Sequence, residues 1–520
     1  MPVVDYKDVQ AMVRFGFGKM TEACYYLVHI KNAAAAKEWL LKMQAHITTA
    51  EITPSLRTAL QVAFTRQGLE ALGVPEKVIA GFSTEFITGM TGDPSRSRRL
   101  GDVGANSPDQ WRWGYQDKVK DKDRVPHAVV MLFAYPGQLE DCKQSIQKEF
   151  WSEAFQVMEC LPTNDMGGRE AFGFVDGISQ PDLDWEQLRK VSRNGDQLTY
   201  GNTVCLGEFL LGYTNEYDRY TDRPLLDPAD PGANQLLQAP DQPDKKDLGL
   251  NGTYVVFRQL KQDVRRFWQF LDRATGSARL QRYQLAEAMV GRTLGDGAPL
   301  VPMSSNSIPG VGNDGDQATR KQDVRLNQFT YDSDAAGTAC PFGAHIRRAN
   351  PRNADIPGGL QGWFMHLLRI LGFGNKNVRA DLISSTRFHR ILRRGREYGE
   401  KLSPDDALQT APEHDSERGL QFLAVNANIQ RQFEFVQNAW IMRTKFDGMT
   451  EESDPLLGNR EPVAGCPFTN TFSLPQDGRV RQRIMDVPQF ITVVGGAYLF
   501  LPSMRAIRYL ATIGAPLAKS

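Results

Sequence analysis

Apolar positions along the chain follow two rhythms, and each predicts a different element. Residues 24–30 (CYYLVHI) are aromatic and β-branched and predict a strand. Residues 33–43 are rich in alanine and predict a helix. Residues 55–72 repeat apolar side chains at helical spacing and predict a second helix. Residues 127–135 (HAVVMLFAY) predict a buried strand, 138–150 an amphipathic helix and 155–161 a further strand. Residues 216–251, rich in Asp, Pro, Gly and Asn, interrupt the rhythm as a long connection. The order then restarts. Residues 253–260 predict a strand, 264–271 and 280–290 helices, 421–427 a strand, 430–441 a helix, 490–501 a strand and 504–513 a closing helix. Two α+β halves of similar order imply two related sheets covered by helices. Insertions at 291–316, 350–359 and 372–376 are expected on the surface.

Composition narrows the class. The 61 basic and 61 acidic residues cancel, which argues against a general nucleic-acid or membrane-surface binder. An apolar fraction of 41% and 27 Phe argue for a globular chain over a disordered one. The N-terminus lacks the basic start and apolar run of a secretory signal. The longest apolar stretch, 490–501, is too short to span a bilayer and is interrupted by Gly495 and Gly496. Cysteines 24, 142, 160, 205, 340 and 466 are scattered without C-x-x-C spacing, so neither a zinc site nor a disulfide framework is expected. The expectation is a soluble, reduced, cytoplasmic protein without a membrane or nucleic-acid partner.

One segment carries an acid in an unusual setting. Asp176 lies in REAFGFVDGISQP (169–181), between Gly173 and Gly177 and beside Phe172, Phe174, Val175 and Ile178. Burial there is expected to raise its pKa, as suits proton transfer. Among seven histidines, His29 ends an apolar strand and His366 falls on an apolar helix, 360–370; both read as structural. His46, His127 and His414 sit beside loops and read as solvated. His345 stands apart, in CPFGAHIRRANPR (340–352). Small residues precede it and Arg347, Arg348 and Arg352 follow. This fits an axial haem ligand with arginines for the haem carboxylates, or a buried histidine beside a surface basic cluster. The basic run RFHRILRRGREYG (387–399) reads as a solvated positive face, or as the source of one guanidinium that stabilises developing charge in a pocket. Gly291–Gly297 is Gly-rich without the dinucleotide-binding pattern, and no phosphate-loop, nucleophile-elbow or H-E-x-x-H motif occurs.

In their order along the chain these blocks resemble the dye-decolourising peroxidase family, which binds haem b. GFVDG (173–177) is similar to the family's G-x-x-D-G signature, the His345 block to its proximal-histidine block, and HRILRRGREYG to its distal-arginine block. Residues 419–440, 251–258 and 62–73 also look familial, and the likeness runs from about Cys24 to the C-terminus. The resemblance implies an α+β fold of two ferredoxin-like units, 1–230 carrying the G-x-x-D-G loop and 231–520 holding most of the haem contacts. The chain is similar in length to the longer subgroups.

The resemblance also implies roles. His345 binds iron, with Arg347, Gly177 and Ile178 against the haem. Hydrogen peroxide binds on the distal side, where Asp176 moves its proton and Arg393 stabilises charge as the O–O bond breaks. Leu420 and Phe422 form an apolar distal wall. Asp454 is expected to hold the other ring nitrogen of His345, or to cap the turn before Pro455. Tyr398 and Trp440 stand where electron relays from bulky aromatic reductants are expected, or are packing aromatics. The implied activity is one-electron oxidation of dyes, phenols or similar aromatic reductants by a monomer or homodimer. Two alternatives stay open: a haem-thiolate enzyme using Cys340 or Cys466, each followed by Pro-Phe, and a non-catalytic haem carrier.

Overall fold

A nine-stranded antiparallel sheet forms the centre of the protein in a computed structural model that describes residues 3–53, 55–117, 122–189, 201–301, 326–352 and 385–514. Its strands are β1 (Glu22–Ile30), β2 (Thr58–Phe64), β3 (Ala128–Ala134), β4 (Phe155–Pro162), β5 (Thr253–Gln262), β6 (Leu392–Arg393), β7 (Arg396–Tyr398), β8 (Gly419–Asn426) and β9 (Ile491–Leu501). Across the sheet they run β6, β8, β5, β9, β2, β3, β1, β4, and β7 also pairs with β8. The first four strands, with α1 (Ala33–Met43) after β1 and α3 (Leu139–Ile146) after β3, make one ferredoxin-like unit. The second repeats it: β5, a helical crossover through α4 (Val264–Ala274) and α5 (Arg279–Val290), β6 and β7, β8, another helical crossover, then β9. The two sheets join edge to edge, with Phe64 of β2 registered against Phe500 of β9. Phe82 closes that seam, its ring 4.9 Å from Phe500. The fold is α+β with ferredoxin-like units, as the sequence predicts.

Both faces of the sheet are covered, which explains why a central strand such as β3 is apolar at every position. In β3, Ala128, Val130 and Leu132 enter one core, and Val129, Met131 and Phe133 the other. Fully burying such a Val, Leu or Phe stabilises by roughly 1.5–3 kcal/mol. This two-sided burial also overturns one sequence expectation. Residues 55–72 form not a helix but the strand β2 followed by the short helix α2 (Arg66–Ala71). An apolar run buried on both sides has no period that separates strand from helix. Thr65 ends the strand and caps α2, its hydroxyl accepting from the Gly68 N–H at 3.2 Å.

The helix predicted over 138–150 stops at Ile146, and Phe150, at φ 59°, separates it from a last turn, Trp151–Ala154. The 430–441 helix is wound wide, as Gln430–Glu434 and Val436–Met442, with the Glu434 N–H donating five residues back to Ile429 O at 2.9 Å. Such widened turns cluster at functional sites. Helix 360–370 with His366, the insertion 372–376, and most of the insertions 291–316 and 350–359 lie outside the described residues. Among the described residues no helix is long and apolar enough to cross a membrane.

Candidate active site

Strand alternation brings the arginine to the site. Arg393 of β6 is registered with Ala424 of β8. Leu420, Phe422 and Ala424 alternate on one face of β8, while Leu423 and Val425 face the opposite core. Arg393 therefore shares a face with Leu420 and Phe422. Arg394 points the other way and donates to the carbonyls of Met12, Val13 and Arg14. Gly395 follows them, between β6 and β7; a Cβ there would lie 2.5 Å from Gln421 O, so only glycine lets the chain pass this close to β8.

The acid arrives on the loop after β4. Asn164 fastens the start of that loop to β7, its N–H donating to Glu397 O at 2.9 Å. The loop folds back on itself through a bridge between Arg169 and Val175, and Asp176 N donates to Gly168 O at 3.1 Å. Phe172 and Phe174 turn into the core, the Phe172 ring 4.6 Å from Phe267. Asp176 turns outward. Its Oδ1 accepts from Arg393 Nη1 and from the Gly177 N–H, each at 2.7 Å. Its Oδ2 has no hydrogen-bond donor among the described residues. Gly177, at φ +83°, has nothing within 4 Å of where a Cβ would stand, whereas Ile178 is buried.

The expected rise in the Asp176 pKa is corrected. Burial does push it up, but the charge of Arg393, the Gly177 N–H and the Arg393 hydrogen bond outweigh burial. The carboxyl sits below its ordinary value. The raised acids are its neighbours, which sequence reasoning missed. Burial pushes Glu170 up to about 7 against three donors, the N–H groups of Phe172 and Phe174 at 3.0 Å and Gln262 Nε2 at 2.6 Å. Burial, then the Asp176 charge, pushes Glu397 up to about 7. Glu397 is registered with Leu420 and shares the face of Arg393. Alternation along the quoted block held that signal. Gln180 was also missed: its Oε1 accepts from Arg393 N at 3.0 Å and its Nε2 donates to Arg393 O at 3.2 Å. It ties arginine and acid to one loop.

His345 opens the short helix α6 (His345–Ala349). Its Nδ1 pairs with Asp454 Oδ2 at 2.9 Å. Asp454 is fully buried, and its Oδ1 accepts from the N–H groups of Leu456 and Leu457 at 2.9 and 2.8 Å. The two readings of Asp454 are thus compatible: one oxygen caps the turn and the other holds the imidazole. With Nδ1 occupied, Nε2 of His345 is left without a protein partner among the described residues. Asp176 and Arg393 both act electrostatically on His345, so the three groups lie near one another. Their side chains are 26%, 30% and 26% exposed for Asp176, Arg393 and His345, which leaves all three reachable.

The remaining expected residues lie deeper. Arg347 is buried with Asp334 at 3.1 Å and Cys340 O at 2.8 Å, between the rings of Tyr331 and Phe342. Arg348 joins α6 to Trp440 O at 2.8 Å. The basic run is not a solvated face: Arg387 and Arg390 are buried, and Arg390 Nη2 donates to Asn202 Oδ1 at 3.0 Å. His127 is not a solvated loop residue either, since its Nδ1 accepts from Ile30 N at 3.1 Å, while His46 and His414 are exposed. The two expected relay residues are both buried. Tyr398 donates to Glu417 Oε1 at 3.1 Å, and Trp440 packs edge-on against His389 and Phe435. Neither candidate cysteine is set up as a thiolate ligand. Burial pushes Cys340 up to about 12, and Cys466 donates to Phe468 O at 2.9 Å.

Comparison with known proteins finds likeness over nearly the whole chain. Residues 8–160 match the family model of the DyP dimeric alpha+beta barrel domain. The multifunctional dye peroxidase DyP2 of Amycolatopsis sp. is 28% identical over 97% of this chain and 93% of its own length. The dye-decolorizing peroxidase AauDyP1 of Auricularia auricula-judae is 27% identical over 96% of this chain and 86% of its own. A crystal structure of a decolorizing peroxidase from the same fungus superposes with a TM-score of 0.68 at 26% identity, covering 98% of this chain and all of that one. Over nearly its whole length the chain is thus similar to dye-decolourising peroxidases. These are DyP-type, haem-dependent enzymes. A DyP-type site needs one protein donor for iron, and His345, with Nδ1 held by a buried carboxylate and Nε2 unpartnered, fits that need. Asp454→Asn is expected to weaken haem retention or peroxide reactivity by about 10–100-fold, because the amide no longer fixes the imidazole's orientation and basicity. Haem titration monitored at the Soret band measures the first, and stopped-flow the second.

Proposed function

We propose that this DyP-type peroxidase reduces hydrogen peroxide with haem b held by His345 and oxidises dyes, phenols or similar aromatic reductants in one-electron steps. The observation that carries the reading is the Asp176–Arg393 pair, near enough to His345, with its unpartnered Nε2, for both charges to act on it. Haem, when bound, supplies the iron that peroxide meets and the electrons for its reduction. The protein supplies proton handling and charge. Asp176 is held ionised by Arg393, so its free Oδ2 accepts the peroxide proton and returns it to the departing oxygen. The Arg393 guanidinium, carried on a backbone that Gln180 holds, faces the negative charge that develops as the O–O bond lengthens. Leu420 and Phe422 exclude bulky molecules. Gly177 gives the loop a close approach to a flat ligand, and Ile178 packs the loop behind it. Arg347 steadies the His345 helix through Asp334.

Because the wall excludes bulky reductants, their electrons enter through Tyr398 or Trp440. Tyr398 has the better provision, since Glu417 can take its phenolic proton on oxidation. On this reading the chain divides into an N-terminal domain, 1–230, and a C-terminal haem-binding domain, 231–520. The test is reconstitution with haem followed by a visible spectrum before and after peroxide. His345→Ala is expected to abolish stable haem binding. Full haem occupancy with unchanged peroxide reactivity in that variant would remove His345 from the proposal.

A further inference from the structure

Strands β1 and β4 bring together cysteines that the sequence scatters. Tyr26 of β1 is registered with Cys160 of β4, and Cys24 with Pro162. Cys24, Tyr26 and Cys160 therefore share one face, and the two cysteines are diagonal neighbours. Helix α3 covers that face and adds Cys142 and Lys143. Cys24 is buried and Cys160 is exposed. Cys160 thus stands beside the Cys24 thiol and the Tyr26 hydroxyl, with Lys143 nearby. A surface cleft lined by Glu22, Leu139, Lys143, Thr163 and Asn164 opens beside the pair.

The electrostatics follow from this geometry. The Cys24 hydrogen bond, then Lys143 and Tyr26, outweigh burial and the Glu140 charge and hold the Cys160 thiol down at about 7. Cys24 is pushed up by Cys160 and by burial, so it stays protonated. Cys142, also pushed up by burial, is a bystander on α3. A reactive thiol needs thiolate character and access, and Cys160 has both.

We propose that Cys160 and Cys24 form a peroxide-reactive dithiol, with Cys160 as the attacking sulfur and Cys24 as the resolving one. The Cys160 thiolate attacks one oxygen of hydrogen peroxide. An S–O bond forms, the O–O bond breaks, and the departing hydroxide takes a proton and leaves as water. Cys160 is then a sulfenic acid. The Cys24 sulfur attacks it, an S–S bond forms, and the hydroxyl leaves with the Cys24 proton as a second water. Two electrons pass from the two sulfurs to one peroxide. The step needs no haem, so it stands or falls apart from the peroxidase reading.

The test treats the haem-loaded, full-length protein with excess hydrogen peroxide, then alkylates, digests without reductant and analyses the peptides by mass spectrometry. The expected result is a Cys24–Cys160 linked peptide that reductant removes. It is absent in Cys160→Ser and present in Cys142→Ser. Cys24→Ser is expected to trap the Cys160 sulfenic acid for dimedone labelling. In the untreated protein, Cys160 alkylation is expected to rise with pH around a midpoint near 7, and Lys143→Met to move that midpoint upward. A wild-type protein that keeps all six thiols after peroxide, or converts Cys160 to sulfinic acid without the link, overturns the proposal.

Discussion

Asp176→Asn is expected to keep its haem and to react with peroxide about 10²–10⁴-fold more slowly, the range that a positioned general base contributes. Asparagine matches aspartate in size, and its amide oxygen still accepts from Arg393 and Gly177, as Asp176 Oδ1 does at 2.7 Å. The fold and the loop thus survive. What disappears is the free oxygen Oδ2, replaced by an NH₂ group that cannot take a proton. Loss of rate with an unchanged resting spectrum separates this outcome from loss of haem. A stopped-flow rate within twofold of the wild type would remove Asp176 from the proton step.

Arg393→Leu is expected to slow the same step by about 10²–10³-fold and also to move the acid limb of its pH profile. The sign follows from the forces on Asp176. In the wild type, Arg393 and Gly177 overcome burial and hold the carboxyl below its ordinary value. The base therefore stays ionised through mildly acid solution, and activity falls only when pH drops through that lowered value. Without the guanidinium, burial is left opposed chiefly by the Gly177 N–H, and the Asp176 value rises. The acid limb then moves to higher pH. Stability follows the same linkage: the depressed carboxyl contributes above its unfolded-state pKa, and that contribution is lost as pH falls through the folded value. A pH–rate profile in which Arg393→Leu slows the reaction at every pH and leaves the acid limb unmoved would mean that Arg393 does not set the charge state of Asp176.

Much of this protein was legible in its residues. The repeating order of apolar segments determined two α+β units, because a helix or strand must bury its apolar face against another element. The quoted blocks around Asp176, His345 and Arg393 were local signals, readable because glycines, a lone imidazole and neighbouring arginines stand close in sequence. Tertiary structure decided what depends on partners far along the chain. It made β2 a strand, since burial on both faces erases the period that tells strand from helix. It lowered Asp176 and raised Glu170 and Glu397, because charge and burial act through space, and Arg393 stands 217 positions from Asp176. It turned Arg393 toward Asp176 and Arg394 away, as alternation sends adjacent residues to opposite faces. It turned scattered cysteines into a Cys24–Cys160 pair, because an antiparallel register places side by side residues that sequence keeps apart.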